Sequence, residues 1–308
     1  MDTDANRQRN EKHAAFAAFV GVSFLVFWKT LSMLVAYSFS RESSSHILLI
    51  PLVSLFLLFT ERKRIFAFPR TSAGPAIGLI CAGLAIYLFA IWHLPAQDAS
   101  ALLPAETSSL LLIWVGGFFL FYGTQSARTA AFALLFLLLM IPLPNRVLDR
   151  VVYALQQGST EISYLLFRAT GVPVLKQGFL LFLPDVTIEV AEECSGIRSS
   201  VALFITCLLA AHLFLQTTWR QALFSLLALP LAIIKNGIRI ATLSILSIYV
   251  DPSFLTGRLH REGGFVFFVL ILAILLPVLR VLQKSEGRPA SPNLESNANE
   301  KAEFAPRV

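Results

Sequence analysis

Apolar runs of roughly 18 or more residues recur along almost the whole chain, and they restrict it to a membrane fold. A run of that length crosses the hydrocarbon core of a bilayer as a single α-helix. The composition agrees, since 56% of the residues are hydrophobic, 14% are charged and the mean hydropathy is +0.69. We therefore predict an all-α polytopic membrane protein, and its 308 residues leave no room for a sizeable soluble domain.

The runs predict about eight transmembrane helices. The predicted spans lie near residues 14–37, 46–60, 74–93, 107–124, 129–143, 196–215, 221–248 and 264–283. Together they form one membrane domain over residues 14–284, preceded by a tail of residues 1–13 and followed by a tail of residues 285–308. The second tail is polar and contains two prolines, so we predict that it is disordered.

Most of the basic residues in the short loops and tails lie on one side of the predicted membrane. They are Arg7, Arg9, Lys12, Arg62, Lys63, Arg64, Arg70, Arg128, Arg220, Lys284 and Arg288. The loop of residues 94–106, on the other side, has two acidic residues and no lysine or arginine. By the positive-inside rule the basic side and both tails are cytoplasmic. The net charge of +6 could suggest a nucleic-acid partner, but basic residues in short loops and tails fit the setting of membrane topology better than a binding face. We therefore expect no nucleic-acid partner.

The long segment of residues 146–193 is then predicted on the outer side. Apolar residues recur there at intervals of three and four, at Leu148, Val151, Val152, Leu155, Ile162 and Leu166. This spacing predicts an extracytoplasmic amphipathic helix on the outer leaflet. Residues 178–183 and 186–190 flank a Pro-Asp pair and predict a short β-hairpin, which leads the chain to Cys194.

Cys194 lies where this polar segment enters the next apolar run, at the predicted N-terminal end of a membrane helix. Such an end stabilises a thiolate, the reactive form of cysteine, through its free amides and its dipole. Gly196 permits the close approach of another backbone, and Ser195 is a candidate cap of the helix. Glu192 and Glu193 disfavour the thiolate unless a cation lies nearby. An unreactive cysteine in a helix cap is the alternative.

The other two cysteines, Cys81 and Cys207, lie inside apolar runs and are expected to be small packing residues. The three cysteines have neither the number nor the spacing of a disulfide framework or a metal site. We therefore expect no metal.

Arg239 is a second candidate, because it lies inside an apolar span and toward its outer half. An ionised side chain there costs about 3 kcal/mol on insertion scales and usually faces a polar partner. Arg239 is therefore a candidate to stabilise a thiolate or an oxyanion, although a side chain that reaches the outer headgroups is the alternative. Asn236 is about one helical turn away on the same face and is a candidate to orient Arg239.

His260 precedes the last span on the same predicted side. An imidazole titrates near neutral pH, so His260 is a candidate to accept the thiol proton and return it to a leaving amine. A loop histidine without a catalytic role is the alternative. His46, at the outer end of the second predicted span, is the rival base.

At these residues the chain resembles the exosortase/archaeosortase family of membrane cysteine transpeptidases. The matching segments are EECSGIR at 192–198, NGIRI at 236–240, His260 with Gly263 and Gly264, SHILLIP at 45–51 and PLP at 142–144. The resemblance implies a catalytic Cys194, Arg239 and His260 without a cofactor, supported by Asn236, Ser195, Gly196, Glu193 and His46. Archaeal members tend to have arginine in the third place, so His260 is similar to the bacterial form.

The resemblance also implies substrates, a location and a reaction. The substrates are exported proteins whose C-terminal signal combines a short Pro-Glu-Pro-like motif, a membrane helix and a basic end. The resemblance implies an enzyme in the bacterial inner membrane that cuts this signal at the outer, periplasmic face of that membrane. The cut would proceed through a thioester between the enzyme and the substrate. Water, or an acceptor such as a lipid or a glycan, would then resolve the thioester.

Other classes fit the sequence less well. A glutamic intramembrane protease of the prenyl-protease type has arginine four positions after its second glutamate, whereas Arg198 follows Glu193 by five. A zinc protease needs a His-Glu-x-x-His motif, which the chain lacks. A non-enzymatic transporter or exopolysaccharide-export component is the remaining alternative. It predicts charged residues along several helices, but the middle parts of the predicted spans carry few.

Overall fold

The computed structural model describes residues 2–67, 71–95, 98–184, 186–256 and 264–286, which are mostly helical. The helices are α1 Asp2–Val26, α2 Trp28–Ser40, α3 Leu49–Thr60, α4 Arg62–Ile65, α5 Ala73–His93, α6 Ala99–Thr129, α7 Ala131–Phe136, α8 Asn145–Ala169, α9 Ile197–Phe214, α10 Thr218–Tyr249, α11 Ser253–Thr256 and α12 Gly264–Ser285. Short 3-10 helices occupy Glu42–Ser44, Leu137–Met140 and Glu192–Ser195. The chain divides into two compact units between Leu155 and Gln156, inside α8.

Five of these helices, α5, α6, α9, α10 and α12, are long and apolar enough to cross a membrane. Two further helix pairs qualify if each bent pair counts as one span, which gives up to seven in the described part of the chain. The protein is therefore a multi-pass membrane protein, but the predicted eight spans are not confirmed. Residues 46–60 illustrate the difference: α3 has 12 residues, or about 18 Å, against a hydrocarbon core of about 30 Å.

The two bent pairs lie where the sequence predicts straight spans. The predicted span 14–37 is broken at Phe27, where Arg7–Val26 and Trp28–Ser40 meet at 76°. The predicted span 129–143 ends early, since Ala131–Met140 is followed by α8 at 91°. The connection contains Pro142 and Pro144, which lack the amide hydrogen that a continuous helix needs.

In the first unit, α6 begins earlier than the sequence predicts. The Asp98 side chain accepts a hydrogen bond from the Ser100 amide and caps the helix. Most of the predicted loop 94–106 is thus helical. Glu106 lies within α6, is 7% exposed, and accepts a hydrogen bond of 2.7 Å from Thr30 Oγ1. The loop prediction was therefore wrong for Glu106, whose burial is stabilised by this hydroxyl donor.

The second unit contains the predicted hairpin. Strands β2 Leu180–Leu183 and β3 Val186–Glu189 pair antiparallel, with Leu183 opposite Val186. A further strand, β1 Leu175–Gln177, pairs with β2 and completes a three-stranded sheet. Leu181 and Leu183, two residues apart, share the buried face of the sheet and pack in one cluster with Phe167 of α8.

Helix α8 occupies the place of the predicted amphipathic helix, but its buried side differs from the expected one. Gln156, Ser159, Thr160 and Ser163 are at most 7% exposed. Their spacing of three and four places them on one face, and Ser163 Oγ bonds to the Gly237 carbonyl oxygen in α10. A Cβ on Gly237 would lie 2.4 Å from Ile162, so the two backbones approach closely. The polar face thus packs against α10, and a position on the outer leaflet remains a prediction.

Glu286 anchors the start of α10 at the end of the described chain. Its carboxylate accepts hydrogen bonds from the backbone amides of Gln216 and Thr217, at 3.0 and 2.9 Å, and lies 3.7 Å from Arg220. The amide of Gln216, then that of Thr217 and the charge of Arg220, hold the pKa of Glu286 below its ordinary value of 4.5.

We expect Glu286→Gln to lower the thermal unfolding midpoint of the detergent-solubilised protein at pH 7. Because folding lowers the pKa of Glu286, its stabilisation is present above pH 4.5 and is lost as the pH falls through the folded value. The midpoints of variant and wild type should therefore converge on acidification. Glu11→Gln is the control, because Glu11 pairs only with the exposed Arg7 in the described contacts. A difference that persists in acid would contradict this assignment.

Candidate active site

Cys194 lies in the 3-10 turn Glu192–Ser195, between strand β3 and helix α9. Its amide donates to the carbonyl oxygen of Ala191 at 3.0 Å, and its side chain is half-buried. Gly196 follows with φ +75°, and this left-handed residue is the N-cap of α9. Ser195 is fully buried and does not cap the helix, so that prediction was wrong. The positive φ at Gly196 reverses the chain and leaves Cys194 just outside the helix N-terminus.

Asn236 of α10 holds this turn from the opposite side. Its side-chain amide donates to the Cys194 carbonyl oxygen at 2.9 Å and to Ser159 Oγ of α8 at 3.0 Å. A Cβ on Gly196 would lie only 2.9 Å from Asn236 Oδ1. Asn236 therefore positions the backbone of Cys194, whereas the sequence predicted that it orients Arg239. Since Asn236 is 1% exposed, these bonds are shielded from water.

Cys194 and Arg239 line the same small cavity in the second unit. Ile188 and Glu189 at the end of strand β3, with the next residue Val190, also line this cavity. Leu243 and Ser244 of α10 line it on the same helix as Arg239. The volume of the cavity is about 50 Å3. A water molecule takes about 30 Å3 of liquid volume, so the cavity accommodates a group of a few atoms, such as a peptide carbonyl.

Arg239 lies close enough to Cys194 for its guanidinium to attract a thiolate at that position. Arg239 is half-buried within α10, where desolvation strengthens its attraction to a negative group. A thiolate at Cys194 thus has both a helix N-terminus and a guanidinium near it. The arrangement brings together the groups that a nucleophilic thiol uses: a sulfur next to a helix N-terminus, a guanidinium, and space for a carbonyl oxygen.

The structure brings none of the remaining predicted residues, His260, Glu193 and His46, to the cavity of Cys194 and Arg239 within its described part. His260 and the Glu193 side chain lie outside the described part of the chain. His46 lies in the first unit, in the turn before α3, and hydrogen bonds with backbone groups of Leu139 and Ser43. Burial lowers the pKa of His46 below 6.5 despite these bonds, so its imidazole is neutral at pH 7.

Within the described residues, no group of three or more potential ligands is arranged to hold a metal ion.

Comparison with known families gives a match over most of the chain. Residues 38–277 match the family model described as transmembrane exosortase, and this part includes Cys194, Arg239 and His260. The chain belongs to the transmembrane exosortase family. No curated protein and no solved structure matches it. The resemblance found in the short motifs is thus confirmed at the level of the family.

The sequence did not predict two hydrogen bonds near the candidate site. Ser159 of α8 accepts from Asn236, and Ser199 of α9 accepts a 2.5 Å hydrogen bond from the buried Lys235. Lys235 is 3% exposed. The signal for Ser159 was available: with Gln156, Thr160 and Ser163 it forms a polar stripe at helical spacing, which indicates a buried polar contact. Ser199 carried no such signal.

The prediction for the two remaining cysteines was right for one of them. Cys207 of α9 is 1% exposed and packs in an apolar cluster with Leu203 and Ala228. Cys81 of α5 is exposed and does not pack in the core, so the prediction was wrong there. Only 17% of the residues in the most apolar 18-residue stretch of α5 are buried, which makes most of its apolar side chains lipid-facing in a membrane.

We expect Gly196→Ala to destabilise the exosortase more than Gly171→Ala. Both glycines have positive φ, +75° and +77°, so an alanine at either position costs about 1–2 kcal/mol of backbone energy. Only Gly196 would also place its Cβ against Asn236, whereas nothing lies within 4 Å of a Cβ at Gly171. This overpacking adds at least about 1 kcal/mol and displaces Cys194. Thermal midpoints of both variants measure the difference, and equal losses would contradict the contact.

Proposed function

We propose that this exosortase is a membrane cysteine protease or transpeptidase that removes C-terminal sorting signals from exported proteins. The observation that carries the proposal is the cavity shared by Cys194 and Arg239. Acyl transfer needs a nucleophile and a group that stabilises the oxyanion. The Cys194 sulfur and the Arg239 guanidinium provide these two groups beside a space large enough for a carbonyl group. Family membership supports the same class of reaction.

In the first step, the Cys194 thiolate attacks the carbonyl carbon of the scissile peptide bond. A carbon–sulfur bond forms, and the carbonyl oxygen becomes negatively charged in the tetrahedral intermediate. Arg239 stabilises this oxyanion. The carbon–nitrogen bond then breaks, and His260 gives its proton to the leaving amine, which belongs to the membrane helix of the signal. The product is a thioester between Cys194 and the exported protein.

In the second step, a nucleophile resolves the thioester. Water gives a free carboxylate, and an amine or hydroxyl of a lipid or glycan acceptor gives a new amide or ester. In each case the neutral His260 accepts a proton from the nucleophile, the new bond forms at the carbonyl carbon, and the carbon–sulfur bond breaks. Cys194 leaves as the thiolate, which restores the starting state of both residues. Asn236 acts throughout as a positioning residue, since its bond to the Cys194 carbonyl oxygen fixes the turn that carries the sulfur.

The proposed substrates and location follow from topology and from the family resemblance. The positive-inside rule supports an extracytoplasmic position for the Cys194 end of α9, and the family resemblance supports the periplasmic side of a bacterial inner membrane. A substrate with a membrane helix and a basic C-terminal end would adopt the same orientation, with its motif at the outer face. The cavity accommodates only the reacting carbonyl group, so the rest of the substrate lies outside it.

Co-expression with a tagged reporter tests the proposal. The reporter carries a signal peptide, a soluble domain, a short proline-rich motif, an apolar helix and an arginine-rich end, and mass spectrometry of its C-terminus gives the product. We expect loss of the helix, with a terminal mass equal to hydrolysis or to the addition of an acceptor. A matched reporter whose apolar helix lacks the motif should stay intact. Removal of the helix from both reporters would contradict the proposal, because the motif would then not matter. Removal from neither reporter, with the motif taken from an exported protein of the same organism, would also contradict it.

A further inference from the structure

A second and larger cavity lies in the first unit, among α1, α3, α4 and α6. Its volume is about 560 Å3, which is within the range of about 300–1,000 Å3 typical of small-molecule sites. Leu55 and Leu58 of α3 and Phe118 of α6 contribute apolar walls. The cavity is separate from the Cys194 site in the sense that it shares no lining residue with that site.

The charge of the cavity is one-sided. Arg9 of α1 and Arg62 and Lys63 of α4 line it, and none of the described lining residues is acidic. The Arg62 guanidinium lies 4.0 Å from the centre of the Phe59 ring and donates to the Phe59 carbonyl oxygen at 2.7 Å. The cation–π contact and the hydrogen bond hold this charge at the cavity, where it favours a negatively charged ligand.

The inner wall is aromatic with one polar pair. Tyr122 and Phe118 of α6 are 3% and 1% exposed. The Tyr122 hydroxyl and His13 Nδ1 are 2.9 Å apart, and Phe66 packs edge-on against the His13 ring. The Tyr122 hydroxyl already has a hydrogen-bond partner in His13, so it does not require one from a ligand. This wall therefore suits the apolar part of a ligand.

The basic part and the apolar part of the cavity lie at different depths along α3. The apolar helix α3 ends at Thr60, and the basic α4 begins at Arg62. The basic side chains therefore lie at the boundary between hydrocarbon and headgroups, while Leu55 and Leu58 lie one to two turns deeper. This is the side that the positive-inside rule assigns to the cytoplasm, where anionic lipids attract basic residues.

We infer that this cavity binds an anionic membrane phospholipid. The lipid phosphate lies against Arg9, Arg62 and Lys63, and the upper part of an acyl chain packs on Leu55, Leu58 and Phe59. A free inorganic anion is a poorer occupant, because most of the described wall is apolar and gives it no contact. The inference concerns the first unit alone and does not depend on the proposed reaction of Cys194.

Native mass spectrometry of the full-length protein in detergent tests the charge. The protein is titrated with phosphatidylglycerol and, separately, with phosphatidylcholine. We expect wild type to prefer phosphatidylglycerol, and the Arg62→Gln, Lys63→Gln double variant to bind it at least about 10-fold more weakly. Arg64→Gln is the matched control, because Arg64 is an exposed residue of the same helix that does not line the cavity. Equal affinity for both lipids, or an equal loss in the control, would overturn the inference.

A second pair of variants tests the apolar part without changing any charge. Leu55 and Leu52 are both 64% exposed on α3, but only Leu55 lines the cavity. We expect Leu55→Trp to obstruct phosphatidylglycerol binding and Leu52→Trp to leave it unchanged. Inorganic phosphate, added at the same concentrations, should not displace the lipid. Displacement by phosphate, or equal binding by the two tryptophan variants, would show an anion site or diffuse attraction instead of a lipid site.

Discussion

Replacing Cys194 with alanine or serine will abolish removal of the sorting signal from a co-expressed reporter. Loss of the nucleophile in comparable hydrolases lowers kcat by up to about 10^6-fold, so we expect at least a 10^4-fold loss. Serine should not restore activity, because a hydroxyl is far less ionised than a thiol at neutral pH. The measurement is the fraction of reporter that retains its apolar helix, determined by immunoblot and by mass spectrometry.

Cys81→Ala is the matched control for this experiment. Cys81 is an exposed thiol in α5 that does not line the cavity, so its loss should leave processing unchanged. The same variant provides a background in which an alkylating reagent reports mainly on Cys194, since Cys207 is buried. Alkylation should then stop processing. Normal processing by Cys194→Ala, or by the fully alkylated protein, would end the cysteine mechanism and favour the transporter alternative.

Replacing Arg239 with glutamine will have the second-largest effect. Removing a group that stabilises an oxyanion costs about 10^2–10^3-fold in kcat, and the loss here should fall mainly on kcat. Arg239→Lys should recover part of the rate, because lysine keeps the charge but not the planar guanidinium. The measurement is the initial rate of reporter cleavage at several reporter levels, normalised to the amount of folded enzyme.

Two readouts distinguish a catalytic Arg239 from a merely structural one. Arg198→Gln is the control for charge near Cys194, because Arg198 is exposed and does not line the cavity. In the Cys81→Ala background, Arg239→Gln should also slow alkylation of Cys194 at neutral pH, since the guanidinium favours the thiolate. If Arg239→Gln and Arg198→Gln have equal rates, the role assigned to Arg239 is wrong.

Local patterns were reliable where a single stretch of chain supplies its own hydrogen bonds. The long apolar runs predicted α5, α9, α10 and α12 with ends close to those observed, because a helix satisfies its backbone within its own segment. The two short stretches that flank the Pro-Asp pair predicted the β2–β3 hairpin, whose strands are neighbours in the sequence. Local patterns failed at Phe27, where hydropathy continues but the helix bends by 76°.

The hydrogen-bond partners in and next to the candidate site could be found only in the folded chain. Asn236 bonds to Ser159, which is 77 residues away, and Lys235 bonds to Ser199, which is 36 residues away. Helical periodicity shows which face of α8 is polar, but not which helix that face meets. It therefore could not show that Asn236 fixes the Cys194 turn, nor that Glu106, taken for a loop residue, is buried against Thr30.

Sequence alone determined that the chain is a multi-pass membrane protein and that Cys194 stands at the start of a membrane helix. Both properties depend on composition and order over about 20 residues, the length that spans a bilayer. Only the tertiary structure decided that Cys194 and Arg239 share a cavity of about 50 Å3, and that Arg9, Arg62 and Lys63 line another. Cavities form between helices that are distant in sequence, so their walls are set by packing and not by any one segment.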